Sequence, residues 1–385
     1  MQQTKLFAFY KEWQKKYKKL KKNKKFQVLQ LFLIIYIFIF AIFLMTFVAE
    51  SLGKQEARSI LLASDNALAG FSGGWLSAEL VQSASIIAIL TSIFLGANLL
   101  DLLQAFYIML GLVFGNSFTP LLASVLSPRK KYERLYYGFE LAVANIIYNL
   151  HLIVIVFILE KTTHFYTYSG QLSRNWFEGI PYLKNIPDLI EILATPLKFI
   201  FFIDYWPLLL IFIFSILLFL FSMNQFGDLM ANYYGGVKRA QKKIQTKFNN
   251  DWQIFGFGLL CSLMIPSASL LVTIIVPLAV KRIVTLRQTI PYIIAVNIGT
   301  YFDVLFAGFA SGKPGSIAGS ITLTLISLTG FLFIIKGIGV NSINFITKFL
   351  TQKLLKIRSR LEMIWFTIGY ILMPILLLLL ALLFQ

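Results

Sequence analysis

The sequence has almost none of the residues from which disulfide frameworks and catalytic metal centres are built. Its one cysteine, Cys261, lies in an apolar segment, so no intramolecular disulfide can form and no cysteine-based metal cluster is available. The two histidines, His151 and His164, are too few and too far apart to indicate a metal centre. Neither common nucleotide-binding fingerprint is present, so the sequence contains no motif for using ATP. We therefore predict neither an enzyme activity nor an organic cofactor.

Apolar residues are abundant instead, at 58% of the chain with 37 Phe. The interval between Lys25 and Glu50 carries no charge, and at about 1.5 Å per residue it is long enough to cross the roughly 30 Å hydrocarbon layer. Comparable apolar runs lie at 135–159, 205–224, 286–309, 317–335 and 363–384. This pattern predicts an all-α polytopic protein of the cell membrane.

The net charge of +18 is distributed in a way that indicates membrane orientation and argues against a nucleic-acid partner. Residues 1–25 are rich in Lys and directly precede the first span, without the short apolar core and cleavage site of a signal peptide. Placing this end in the cytoplasm puts most of the 35 Lys and Arg in inner loops, as expected for a membrane protein. The predicted inner loops are 1–25, 127–137, 225–252, 279–288 and 336–362. The predicted outer loops are 50–71, 160–204 and 310–316.

The basic segment 1–25 has two interpretations, a topology signal and a binding site for anionic membrane lipids. Both place the N-terminus in the cytoplasm, and the number of spans then predicts an extracellular C-terminus. The oligomeric state has no signature in the sequence.

Two short serine motifs interrupt the apolar runs at equivalent places. "VQSAS" ends at Ser85 and "IPSAS" ends at Ser269, and the same offset of 184 residues pairs Gln104 with Gln288. The charge pattern requires the segments around them, about 72–98 and 254–280, to return to the membrane face from which they enter. Each motif therefore lies at the turn of a predicted re-entrant hairpin. Unwound backbone at such a turn is tolerated only beside protein or a polar cavity.

Each hairpin is followed by a span that an Asn is predicted to break, in "FGNSFTP" and in "VNIGTYFD". The first repeat starts inside and the second outside, so we predict inverted topology, which is typical of transporters with a midplane site. The predicted organisation is a basic cytoplasmic segment 1–25, repeat 1 at 26–159, an extracellular loop 160–204, repeat 2 at 205–338, a basic cytoplasmic segment 339–362 and an additional terminal helix 363–385.

These motifs resemble the QSSS and GANIGTT motifs of the type II sodium/phosphate cotransporter family, over roughly residues 30–335. Three departures from the family pattern are Ala84 for the middle serine, Pro266 for the second glutamine and Tyr301 for the last threonine. Many bacterial members carry a PhoU-like helical domain at the C-terminus, where this sequence predicts the additional span instead. The chain is thus expected to be a divergent member.

The resemblance implies uptake of inorganic phosphate or a similar small anion, with Na⁺ as the coupling ion, between the two hairpins. The residues that it assigns to ion and substrate binding are Gln82, Ser83, Ser85, Asn116, Ser117, Thr119, Ser267, Ser269, Asn297 and Thr300. Which of them would bind Na⁺ is left open. A membrane scaffold or regulator that has lost transport, and a passive anion pathway, are the alternative functions.

Each of these residues also has a structural interpretation. Serines within spans often only pack helices together, and the two Asn can form hydrogen bonds between helices. The same structural role is favoured for Asn145 and Asn149, which lie at helical spacing on one span. Two acids, Glu79 and Asp303, are the deepest in the predicted spans, where ionisable groups are expensive. We predict that they add charge to a cation site or bind a proton; alternatively, Glu79 reaches the interface and Asp303 caps a helix.

Overall fold

The computed structural model describes residues 24–51, 66–81, 83–126, 132–178, 195–199, 203–218, 221, 250–264, 267–280 and 284–383. Within these ranges 90% of the residues are helical and none forms a strand. Among the described residues, five helical segments are long and apolar enough to cross a membrane: Leu102–Val125, Leu135–Thr163, Leu286–Ala310, Pro314–Phe333 and Arg360–Leu383. The prediction of an all-α polytopic membrane protein is confirmed.

The principal helices are numbered in chain order. They are α1 Lys24–Ser51, α2 Ala67–Val81, α3 Ala84–Gly96, α4 Leu102–Gly115, α5 Phe118–Leu126, α6 Tyr132–Thr163, α7 Phe165–Glu178, α8 Leu208–Leu218, α9 Asp251–Met264, α10 Ala268–Val280, α11 Leu286–Gly299, α12 Phe302–Ala310, α13 Pro314–Thr329, α14 Ile338–Lys348 and α15 Arg360–Leu383.

The helix boundaries repeat along the chain at the offset found in the sequence. Adding 184 to the bounds of α3, α4 and α5 gives the bounds of α10, α11 and α12. Helices α4 and α11 start at equivalent positions because each begins with a capping box. The box is formed by Asp101 with Gln104 in α4 and by Thr285 with Gln288 in α11. The pairing of Gln104 with Gln288 in the sequence therefore reflects a shared helix start.

In each repeat two short helices form a hairpin, α2 with α3 and α9 with α10. A methyl group at Gly74 would meet Ile108 of α4, and one at Gly115 would meet Trp75 of α2, so α2 and α4 run parallel and in close contact. Gly258 and Gly299 make the corresponding contacts between α9 and α11. The short connection at 97–101 makes α3 antiparallel to α4, and hence to α2.

The hairpin arms are too short to cross a membrane singly. The 15 residues of α2 and the 13 of α3 rise about 20 Å each at 1.5 Å per residue, against about 30 Å of hydrocarbon. Their lengths are those of arms that enter part of the way. The membrane face on which each hairpin opens, and with it the inverted topology, remains a prediction.

The second arm of each hairpin packs against the other repeat. Helix α3 contacts α12 and α13, while α10 contacts α5 and α6. Small residues allow the close approach of α3 to α13, where Gly96 faces Ser316 and Gly319 faces Ser92. The two repeats are therefore interlocked by an exchange of equivalent arms.

Two segments assigned to loops contain helices. Helix α7 lies in 160–204, and its buried Tyr166 packs towards α13, with its hydroxyl oxygen 2.6 Å from that of Thr329. Helix α14 lies in 339–362 and contacts α6 and α11. Both helices are amphipathic, so neither contains a long apolar run. A search for apolar runs therefore assigns them to loops, although one face of each is buried.

The contact of α2 with α4 gives a stability prediction. Gly74→Ala should lower the unfolding free energy by about 1–3 kcal/mol or more, as expected for overpacking, because the new Cβ would lie 2.1 Å from the carbonyl oxygen of Ile108. Gly73→Ala is the control, since no atom lies within 4 Å of a Cβ at that position. Thermal unfolding in detergent measures both variants, and equal stability would contradict the close approach.

The predicted inversion can be tested at the two equivalent helix starts. Asp101→Cys and Thr285→Cys, each made in a Cys261→Ala background, place a thiol at an exposed position. An impermeant maleimide should label them from opposite membrane faces if the repeats are inverted. Labelling of both from the same face would contradict the inversion, whichever face it is.

Candidate functional site

Both repeats contain a long span that is interrupted near its middle. The first span is helical as α4 and α5, and its interruption consists of Asn116 and Ser117, which we call break 1. The second is helical as α11 and α12, interrupted by Thr300 and Tyr301, which we call break 2. All four residues are buried. A break of this kind exposes backbone groups at two helix ends, which only protein, water or a bound ion can satisfy.

A series of hydrogen bonds, closed into a ring by the peptide bond between Asn116 and Ser117, joins break 1 to the second repeat. Asn116 Nδ2 donates to Asn297 Oδ1 at 3.2 Å, and Asn297 Nδ2 donates to Asn145 Oδ1 at 2.9 Å. Asn145 Nδ2 then donates to Ser117 Oγ at 3.0 Å, and Asn149 Nδ2 donates to the same oxygen at 2.9 Å. The structure thus brings together three of the predicted site residues, Asn116, Ser117 and Asn297.

Asn297 does not break its span, contrary to the sequence-based prediction. It lies within α11, where its Nδ2 also donates to the carbonyl oxygen of Ile293 one turn earlier at 2.8 Å. The interruption follows at Thr300 and Tyr301, and by the 184-residue offset Thr300 is the counterpart of Asn116. Because the amide bonds to its own helix, Asn297 contributes a polar side chain to the ring without unwinding the backbone.

The hairpin serines lie at the starts of α3 and α10. Ser83 is the N-cap of α3, although its oxygen accepts only a long hydrogen bond of 3.5 Å from the amide of Ile86. Ser85 is buried and approaches the carboxylate of Asp303 closely enough to interact with it. In the second hairpin the hydroxyl oxygens of Ser267 and Ser269 are 3.3 Å apart. Two further predicted residues are Thr119, half-buried in the first turn of α5, and Gln82, outside the described residues.

Glu79 is buried within the protein, 5% exposed. Its Oε1 accepts a hydrogen bond of 2.8 Å from Trp75 Nε1, while Oε2 has no hydrogen-bond partner. The phenol of Tyr370, on α15, lies nearby and donates to the carbonyl oxygen of Phe114 at 2.5 Å. Glu79 is therefore enclosed between the first hairpin and the terminal helix, next to break 1.

Asp303 lies in the first turn of α12, directly after break 2. Its Oδ1 accepts from the amide of Val304 at 2.7 Å, as expected for a carboxylate at a helix N-terminus. Its Oδ2 is buried and has no donor in ordinary hydrogen-bond geometry, although Ser85 is close. Glu79 and Asp303 have different neighbours and form no hydrogen bond with each other.

Sequence analysis did not select some residues of this region and assigned others only a structural role. The Asn145 and Asn149 amides, assigned a structural role, are donors to a predicted site residue, and their four-residue spacing was the available signal. The other residues are the buried aromatics Trp75, Tyr148, Tyr301 and Tyr370, of which only Tyr301 had a signal, as a departure from the family motif. Among the described residues no group of three or more His, Cys, Asp or Glu could hold a metal ion. A cation here would be bound mainly by hydroxyl, amide and carbonyl oxygens.

A family model described as Na⁺/Pi-cotransporter matches residues 37–173 and 218–382. The matched ranges include both hairpins, both breaks and the terminal helix. No curated protein and no solved structure matches the chain.

Proposed function

Because the chain belongs to the Na⁺/Pi-cotransporter family, we propose that it couples the movement of Na⁺ to uptake of inorganic phosphate or a similar small anion. The ring of Asn116, Ser117, Asn145 and Asn297 is the observation that carries this proposal. Polar side chains in the core of an apolar bundle are costly unless they pair or serve an ion path. This ring lies where an interrupted span of one repeat meets the other repeat.

Four helix N-termini start at the hairpin turns and breaks, in α3, α5, α10 and α12. Each carries about half a positive charge, which favours an anion. The proximity of Ser85 to Asp303 places the first turn of α3 beside that of α12, and α10 contacts α5 in the equivalent way. These helix starts would provide amide and hydroxyl donors for phosphate.

The proposed binding residues are those of the hairpin turns and the breaks. They are Gln82, Ser83, Ser85, Asn116, Ser117, Thr119, Ser267, Ser269, Asn297 and Thr300. Amide groups and some of the hydroxyls would donate to the anion, while the other hydroxyls and backbone carbonyls freed at the breaks would bind Na⁺. Glu79 and Asp303 would supply negative charge to a cation site or bind a proton.

A scaffold that retains the fold without transport is the second candidate. One observation favours it, because the Asn and Ser side chains of the ring largely satisfy one another. Transport requires that they exchange these bonds for bonds to a substrate, whereas a scaffold would keep them permanently.

Uptake by the purified protein in proteoliposomes separates these functions. Radiolabelled phosphate should accumulate against its gradient when Na⁺ is outside, and K⁺ should not replace Na⁺. A passive anion pathway would give equilibration without accumulation and without Na⁺ dependence. The absence of any phosphate movement above empty liposomes would contradict the proposal, and arsenate or sulfate in the same assay defines the anion class.

The hairpin serines give a specific prediction for this assay. Alanine at Ser85 or Ser269 should reduce phosphate uptake by about tenfold, as for loss of about 1.4 kcal/mol of binding free energy, while thermal stability changes little. A ligand hydroxyl that is removed in a dry site cannot be replaced by water. Ser173→Ala, on the half-buried face of α7, is the control. Wild-type uptake kinetics in both hairpin variants would assign these serines to helix packing.

A further inference from the structure

The two breaks are equivalent in position but differ in how their polar groups are satisfied. In break 1, Ser117 accepts hydrogen bonds from two amides and Asn116 donates to Asn297. The Phe114 carbonyl beside this break accepts from the Tyr370 hydroxyl. In break 2, by contrast, neither Thr300 Oγ1 nor the Tyr301 hydroxyl has a hydrogen-bond partner among the residues that the structure describes.

The unsatisfied oxygens at break 2 are deeply buried. Thr300 is 1% exposed and Tyr301 is 2% exposed. The Tyr301 phenol interacts electrostatically with the Asp303 carboxylate and the Tyr148 phenol, and the Tyr148 hydroxyl likewise has no hydrogen-bond partner in the described part of the chain. Native proteins leave few buried polar atoms unpaired, so the unpaired hydroxyls of Thr300, Tyr301 and Tyr148, together with Asp303 Oδ2, need an explanation.

We propose that break 2 is a binding site for a monovalent cation, with Asp303 Oδ2 as its charged ligand. Ser85, which approaches the same carboxylate, and the hydroxyl and carbonyl oxygens of Thr300 and Tyr301 complete the coordination. This inference rests on the proposed function and makes it more specific, because it assigns the coupling ion to one of the two breaks. Glu79, enclosed by Trp75 and Tyr370, is not part of the site.

The chemistry of these groups selects a cation. A buried carboxylate oxygen without a donor is unfavourable, and a positive ion would offset that cost. The ligands are all oxygen atoms, which a hard ion such as Na⁺ prefers, and freed carbonyls at a broken helix bind Na⁺ in other transporters. Divalent ions commonly draw on several carboxylates, whereas Asp303 is alone here. A monovalent ion therefore fits the charge of the site.

The repeat offset explains why break 1 is not a second copy of this site. The counterpart of Asp303 is Thr119, which has no charge, and the counterpart of Tyr301 is Ser117, which is already saturated by two amide donors. The sequence has placed the carboxylate at one break and a satisfied hydrogen-bond network at the other.

Equilibrium binding of radioactive Na⁺ to the purified full-length protein, with K⁺ as competitor, tests the site without requiring transport. Asp303→Asn keeps the shape and removes the charge, so we expect Na⁺ affinity to fall about tenfold or more, in line with the dependence of cation affinity on ligand charge. Asp303→Thr, which copies the residue at Thr119, should have the same effect. Asp101→Asn is the matched control, because Asn is an equally good N-cap at that exposed helix start.

Wild-type Na⁺ affinity in folded Asp303→Asn or Asp303→Thr would overturn the proposal. If both variants fail to fold, Tyr301→Phe, which removes only a hydroxyl, decides the question in the same way. Na⁺ binding that depends on Asp303 in a protein that moves no phosphate would keep the cation site and reject the proposed function. If Na⁺ drives phosphate uptake but the Asp303 variants bind Na⁺ with wild-type affinity, the proposed function stands and the cation site at break 2 is rejected.

Discussion

Alanine in place of Asn297 should nearly abolish Na⁺-dependent phosphate uptake. The variant removes the acceptor of Asn116 and the donor to Asn145, so it leaves two buried amide groups without partners. Each such group costs about 1–3 kcal/mol, and a loss of 1.4 kcal/mol corresponds to about tenfold in affinity. Uptake measured per unit of folded protein should therefore fall by about tenfold or more.

The control for this prediction is Asn175→Ala, which removes the same group from the exposed face of α7. A thermal unfolding measurement on both variants separates loss of fold from loss of transport. Asn297→Asp refines the test, because it keeps the size of the side chain and removes the donor to Asn145. Uptake equal to that of the Asn175 control would show that the ring plays no part in transport and would favour the scaffold.

The sequence was sufficient to predict the architecture where the information is local or repeated. The serine motifs mark turns because polar residues in an apolar run are expensive, and their recurrence at a fixed offset indicates a duplicated unit. The structure places the starts of α3 and α10 at these motifs. In α7 and α14 the same reasoning failed, because amphipathic helices have low mean hydropathy and resemble loops.

The site was predictable only in part, because its geometry depends on contacts between distant segments. Asn116 and Asn297 were both selected from the sequence, but their hydrogen bond spans 181 positions and no local pattern encodes it. Break 2 lies at Thr300 and Tyr301, one turn after Asn297, and the sequence pattern did not locate it there. Of the neighbours of Glu79, Trp75 lies one turn earlier on the same helix, whereas Tyr370 comes from the distant helix α15 and no local pattern indicates it.

The terminal helix α15 gives the second large prediction, at Tyr370. Its ring packs on Trp75 and Phe114, with centroids 5.1 and 5.6 Å apart, and its hydroxyl donates to the Phe114 carbonyl beside break 1. Tyr370→Ala removes this packing and the hydrogen bond together, and opens a cavity beside Glu79. We expect a loss of about 3–5 kcal/mol in unfolding free energy, as for other large aromatic truncations in a core.

The matched control is Trp365→Ala on the same helix, where the side chain is 64% exposed on the outer surface. Its stability should stay within about 0.5 kcal/mol of wild type, as is usual for exposed positions. Tyr370→Phe divides the effect, because it keeps the ring contacts and removes only the hydrogen bond to Phe114, worth about 0.5–1.5 kcal/mol. If Tyr370→Ala were as stable as Trp365→Ala, α15 would not be an integral part of the first repeat's packing. A large loss in Tyr370→Ala with a small one in Tyr370→Phe would instead show that α15 supports break 1 mainly through aromatic packing.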